Sequence, residues 1–66
     1  MNINKLKGKI TENGLNVETL ANKIGINRAS LYRKLNNAEK ITIVEAKKIT
    51  AELNLTAAEA TEIFLA

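Results

Sequence analysis

The chain contains no cysteine, histidine, aspartate, proline or tryptophan. Without cysteine there is neither a disulfide framework nor a thiolate metal site. Without histidine and aspartate as well, nucleophile–base pairs and metal centres lack their usual parts, and the only carboxylates are dispersed glutamates. Ser30 is a lone hydroxyl with no base to activate it. Gly8, Gly14 and Gly25 are scattered, so no glycine-rich loop cradles a phosphate. An enzyme is not expected, nor a cofactor. No apolar run approaches the ~20 residues that cross a bilayer, and "MNINKLKGKI" has no continuous apolar stretch of the secretory kind. A cytoplasmic protein with no membrane partner is the expectation. Aromatic side chains are limited to Tyr32 and Phe64, so the core must be built from Ile, Leu, Val and Ala.

What is present is a globular composition, 45% hydrophobic over 66 residues, which argues against disorder. That length makes one domain, residues 1–66, near the lower limit for folding alone. The net charge of +3 is unevenly placed. Up to Lys40 eight basic residues stand against three glutamates, and from Ile41 two lysines stand against four glutamates. A polyanion-binding face opposite a neutral or acidic back produces such an asymmetry; so does chance scatter of surface charge.

Periodicity predicts five short helices. Ile3, Leu6 and Ile10 recur at three and four residues and form one apolar stripe. Asn13-Gly14 ends that helix, glycine accepting the left-handed conformation there, and Leu15 falls where a contact back to the helix is common. Asn16 caps a second helix, with Glu18 in its first turn and Leu20, Ala21 and Ile24 on its buried side. Gly25 stops it, Ile26 points inward, and Asn27 caps a third helix over about 28–35 whose core residues are Leu31 and Leu35. After a polar loop, Thr42-Ile43-Val44-Glu45 is a capping-box pattern, and Ile43, Ala46, Ile49 and Leu53 line a fourth helix. A second box, Thr56 to Glu59, opens a fifth on which Ala60, Ile63 and Phe64 share a face. No segment shows the alternation of strands. The fold class is all-α.

Two helices joined by a three-residue turn holding a glycine make a helix-turn-helix, here over about 17–35. Ala21 is small where the helices approach, Gly25 turns without a side-chain clash, and Ile26 and Leu31 pin the second helix onto the first. "GLNVETLANKIGINRASLYRKLNN" followed by "TIVEAKKITAELNLT" resembles the lambdoid phage repressor and Cro type of DNA-binding domain, within the Xre-like transcriptional regulators. The resemblance runs from Leu6 to Phe64. It implies a lambda-repressor-like five-helix domain and a sequence-specific regulator of transcription, of phage or prophage origin, usually a repressor. The partner it implies is a pseudo-palindromic double-stranded operator. No small-molecule ligand is implied.

In that family the third helix enters the major groove, where each base pair offers a distinct set of hydrogen-bonding groups. With Leu31 and Leu35 turned to the core, the opposite face carries Arg28, Ala29, Tyr32 and Arg33, which coincide with the family's base-contacting positions, with Asn27 at the tip. Each arginine has the fork geometry to bond guanine O6 and N7, worth roughly 1–3 kcal/mol of discrimination. Ala29 suits a thymine methyl, and Tyr32 a base or a phosphate. Phosphate contacts fix orientation. The expected set is Asn16 and the Val17 amide at the start of the second helix, Ser30, Lys34, and Asn36, Asn37 and Lys40 after the reading helix, with Lys9 and Lys23 as weaker members. Relatives often carry Gln after the cap, where this chain has Val17. Each residue has a plainer role open to it. Arg33 and Arg28 can pair with Glu12 or Glu18, Tyr32 can cover apolar surface, and the lysines can be solvated surface charge.

Ile63, Phe64 and Leu65 are consecutive, so at least one points away from the core. Phe64 is read as core first and Leu65 as the better self-contact in a weak homodimer formed on DNA, with half-sites about one helical turn apart. The alternative function is a protein-interaction module, an antirepressor or regulatory partner that keeps the fold without binding DNA. The basic reading face opposes that alternative and Val17 favours it.

Overall fold

The computed structural model describes residues 1–36 and 40–65. Five helices follow one another: α1 (Ile3–Glu12), α2 (Val17–Ile24), α3 (Arg28–Leu35), α4 (Ile43–Glu52) and α5 (Ala57–Phe64), with no strand among the described residues. Each helix starts on a side-chain cap that satisfies amides left without an intrahelical acceptor. Asn2 accepts from the Lys5 amide, Asn16 from Thr19, Asn27 from Ala29, Thr42 from Glu45 and Thr56 from Glu59. The expected capping boxes at Thr42 and Thr56 are reciprocal, the Glu45 and Glu59 carboxylates accepting from the Thr42 and Thr56 amides at 2.9 Å. A third box closes α2. There Thr19, rather than a glutamate, returns its hydroxyl to the Asn16 amide at 2.8 Å.

Three helix ends share one device. Gly14 (φ 72°), Gly25 (φ 76°) and Asn54 (φ 52°) take the left-handed conformation. The next residue's amide then bonds a carbonyl five positions back: Leu15 to Ile10, Ile26 to Ala21 and Leu55 to Thr50, each at 3.0 Å. Leu15, Ile26 and Leu55 thereby fold back, partly buried against the core. The Cβ that Gly25 lacks would meet no neighbouring atom within 4 Å. The glycine is therefore required by its backbone angle, and the expected avoidance of a side-chain clash is not the reason for it.

Ten apolar residues form the core: Leu6, Ile10, Leu20, Ala21, Ile24, Leu31, Leu35, Ile49, Leu53 and Ile63, with no buried polar residue among the described ones. α2 packs against both α3 and α4, and α1 lies against α5. The α1–α5 seam is tied by the Asn2 amide donating to the Ile63 carbonyl at 2.7 Å and by the ion pairs Lys5–Glu62 and Lys9–Glu59. One core expectation is corrected. Ile43 is 77% exposed, because six residues at about 100° each turn it roughly 120° away from Ile49 on the helix wheel. Ala46, Ile49 and Leu53 face inward or partly so, while Ile43 and its neighbour Val44 stand out into solvent.

Candidate nucleic-acid interface

α3 turns one face outward, and its pattern explains why. Leu31 and Leu35, one turn apart, are buried against α2, which leaves Arg28, Ala29, Tyr32 and Arg33 exposed on the other side. The residues that the sequence assigns to base reading therefore lie on one open face, with Asn27 exposed at its tip as the helix cap.

The two flanks of α3 are held differently. On one, Lys34 reaches α4: its ammonium lies 3.2 Å from Glu45 Oε1 and donates to the Lys40 carbonyl at 3.3 Å. Both side chains are largely covered, at 11% and 16% exposure. Burial pushes the Glu45 carboxyl up, but hydrogen bonds from the Thr42 amide and from Lys34 outweigh it, so the group ends below the ordinary carboxylate range. Taking one partner from such a covered pair leaves an uncompensated charge. Lys34 thus fastens the reading helix to α4, a role the sequence analysis did not assign to it. On the other flank, Tyr32 lines a hollow of about 250 Å³ together with Lys7, Thr11, Asn16 and Val17.

The arginines are reachable. Arg28 Nη1 meets Glu18 Oε2 at 3.2 Å with both side chains about 60% exposed, and an exposed pair of this kind contributes only about 0–1 kcal/mol. Arg33 donates to the Ser30 hydroxyl at 3.1 Å and stays exposed. Of the two arginines weighed for a glutamate partner, Arg28 is the one that meets Glu18.

Among the residues expected to touch phosphate, Asn16 spends its side-chain oxygen on the Thr19 amide. That leaves the Val17 and Glu18 amides at the N-terminus of α2 without intrahelical acceptors. Val17 itself is half-buried against the core. Ser30 is half-buried beside Arg33; Asn36 and Lys40 are exposed, and Asn37 lies outside the described residues. Lys9 is spent elsewhere, its ammonium held by Glu59 and 3.6 Å from Glu12. That contact with Glu59, followed by the Thr56 amide, draws the Glu59 carboxyl down to about 2 and raises Lys9. Lys7, four residues before Thr11 on a face of α1 that Leu6 and Ile10 leave free, lines the hollow beside Tyr32.

Folding also redistributes the charge asymmetry. Lys5, Lys9 and Lys34 belong to the basic N-terminal part, and glutamates of the acidic C-terminal part neutralise all three. Exposed basic residues on and around the motif include Lys7, Lys23, Arg28, Arg33 and Lys40. No described helix is long and apolar enough to cross a membrane, and no described group of acidic side chains is arranged to hold a metal ion.

Neither the curated proteins nor the solved structures yield a match to this chain. A family model does, over residues 5–64, and those residues contain all five helices but the first two residues of α1. With a helix-turn-helix over 17–35 and basic residues on its open helix, the chain belongs to the family of Cro/C1-type HTH DNA-binding domains.

Proposed function

We propose that this DNA-binding regulator is a sequence-specific transcriptional repressor of phage or prophage type, which inserts α3 into the major groove of a double-stranded operator. The observation that carries the reading is the open face of α3, where Arg28, Ala29, Tyr32 and Arg33 are exposed together while Leu31 and Leu35 anchor the helix beneath them. Arg28 and Arg33 read guanine edges, Ala29 packs on a thymine methyl, and Asn27 and Tyr32 border the contact. The Val17 amide, Asn16, Ser30, Asn36, Asn37 and Lys40 meet phosphates on either side, with Lys34 setting the angle of α3. The role is binding rather than chemical conversion.

The operator is pseudo-palindromic, and two copies meet on it. Leu65 is 79% exposed while Phe64 is half-buried on the core, so Leu65 is the apolar group that a second copy would cover. A stable interface takes ~800 Å² from each partner, roughly a fifth of the 4119 Å² this chain exposes. So large a share favours a pair that forms on DNA over one that persists in solution.

Selecting bound duplexes from a random pool tests the reading. Enrichment of one motif in two halves about one helical turn apart, with affinity falling steeply as salt rises, is the expected result. A pool that stays random after several rounds refutes it.

A further inference from the structure

An open groove of about 1010 Å³ runs between α4 and α5. Its apolar wall includes Ile41, Leu55 and Phe64, and its rim carries the exposed Ile43 and Leu65. Its depth follows from the small side chains of Ala46 and Ala60. Leu65 apart, DNA reading by α3 gives these residues no task, and the exposed Ile43 continues the apolar wall at the groove rim. Lys40 and Lys47 carry the charged side chains of the described lining, and no carboxylate stands among those described residues. We propose that this groove receives an acidic amphipathic helix of a partner protein, leucine-like side chains filling the floor and flanking carboxylates meeting Lys40 and Lys47.

Size and charge select this occupant. Half of a helix 10–12 Å across takes roughly 200–300 Å³ per turn, so the groove holds one face of about three to four turns. That is the helix-in-groove mode of recognition. A second copy offers the same groove and the same two lysines. Joining two such faces about a two-fold axis brings together the four lysine ammonium groups of the described lining. Because Leu65 belongs to the rim, a bound helix also excludes a second copy from that residue.

The probe is a fluorescein-labelled helical peptide of about 15 residues, four turns, with leucines at i, i+3 and i+7 and glutamates beside them. Its control carries lysine at every glutamate. The 66-residue chain should bind the acidic peptide about tenfold or more tightly than the control, with methyl shifts confined to Ile41, Ile43, Leu55 and Leu65. Lys47→Glu should reverse the preference. Ile43→Ser, a change at a solvated site, should weaken binding with operator affinity retained. Equal binding of both peptides, binding of neither, or shifts on α2 and α3 would overturn the proposal. So would methyl shifts that follow dilution of the protein alone and resist the peptide, which would make a second copy the occupant.

Discussion

The turn of the helix-turn-helix rests on the backbone angle of Gly25, and this can be tested apart from steric crowding. At φ 76° any residue with a Cβ pays about 1–2 kcal/mol for the left-handed conformation. Stiffening the unfolded chain returns about 0.4–1 kcal/mol. Because no neighbour lies within 4 Å of the added Cβ, no clash is superimposed, and Gly25→Ala should cost about 1 kcal/mol, or roughly 4–8 °C in Tm for a domain of this size. Gly25→Asn should cost less, since asparagine tolerates this region and Asn54 already performs the same turn at φ 52°. Gly25→Val should cost more than alanine, its branched Cβ being the least tolerant. Thermal and urea denaturation followed by far-ultraviolet circular dichroism measure the order. Since the turn itself survives, the folded fraction of Gly25→Ala should bind operator as tightly as the parent. A loss above about 3 kcal/mol in the alanine variant, beyond the conformational cost, would reveal crowding that the structure does not contain. No loss at all would mean that the chain does not turn left-handed there.

Acid should weaken the α1–α5 seam. Glu59 titrates near 2 in the folded protein, held down chiefly by Lys9 and then by the Thr56 amide, against an ordinary value of 4.5 in the unfolded chain; its stabilisation is full above 4.5 and disappears as pH falls towards 2. Glu59→Gln should flatten Tm against pH across that window, and an unchanged slope would refute the assignment. Leu31 is fully buried on the core side of α3, so Leu31→Ala should cost about 2–5 kcal/mol in denaturant titrations. Arg33→Ala should relax base preference at one operator position, whereas Lys40→Ala should weaken all sequences alike and reduce the salt slope by about 1 in an anisotropy titration. Glu18→Gln frees Arg28 and removes a negative charge from the first turn of α2, so operator affinity should rise, most visibly at low salt.

The fold was legible because its punctuation is local. A cap needs one polar side chain two or three residues ahead of an amide, and Asn16, Asn27, Thr42 and Thr56 each stand in that position in the sequence. The left-handed glycines at 14 and 25 are equally plain. The end of α4 is less so, because Asn54 does a glycine's work under a side chain that also suits many loops. Ile43 misled for a related reason. Spacings of three, three and four residues look continuous along a sequence, yet each step of three falls about 60° short of a full turn. Ala46 takes up the first shortfall and Ile43 is carried off the core face.

The face of α3 could be assigned from Leu31 and Leu35 alone, because two buried positions one turn apart fix the orientation of an eight-residue helix. Its ionic partners could not. Glu18 and Arg28 are ten residues apart, Lys34 and Glu45 eleven, Lys9 and Glu59 fifty, and nothing at those separations is periodic. The consequence is a division between cations by how firmly their glutamate partners hold them. Arg28 would give up its exposed glutamate at a cost of about 0–1 kcal/mol. Lys34, at 11% exposure against Glu45, would strand a mostly covered carboxylate by doing the same. The pairing of Lys34 with Glu45 fastens α3 to α4. It thereby helps to hold the two arginines on the open face of the helix.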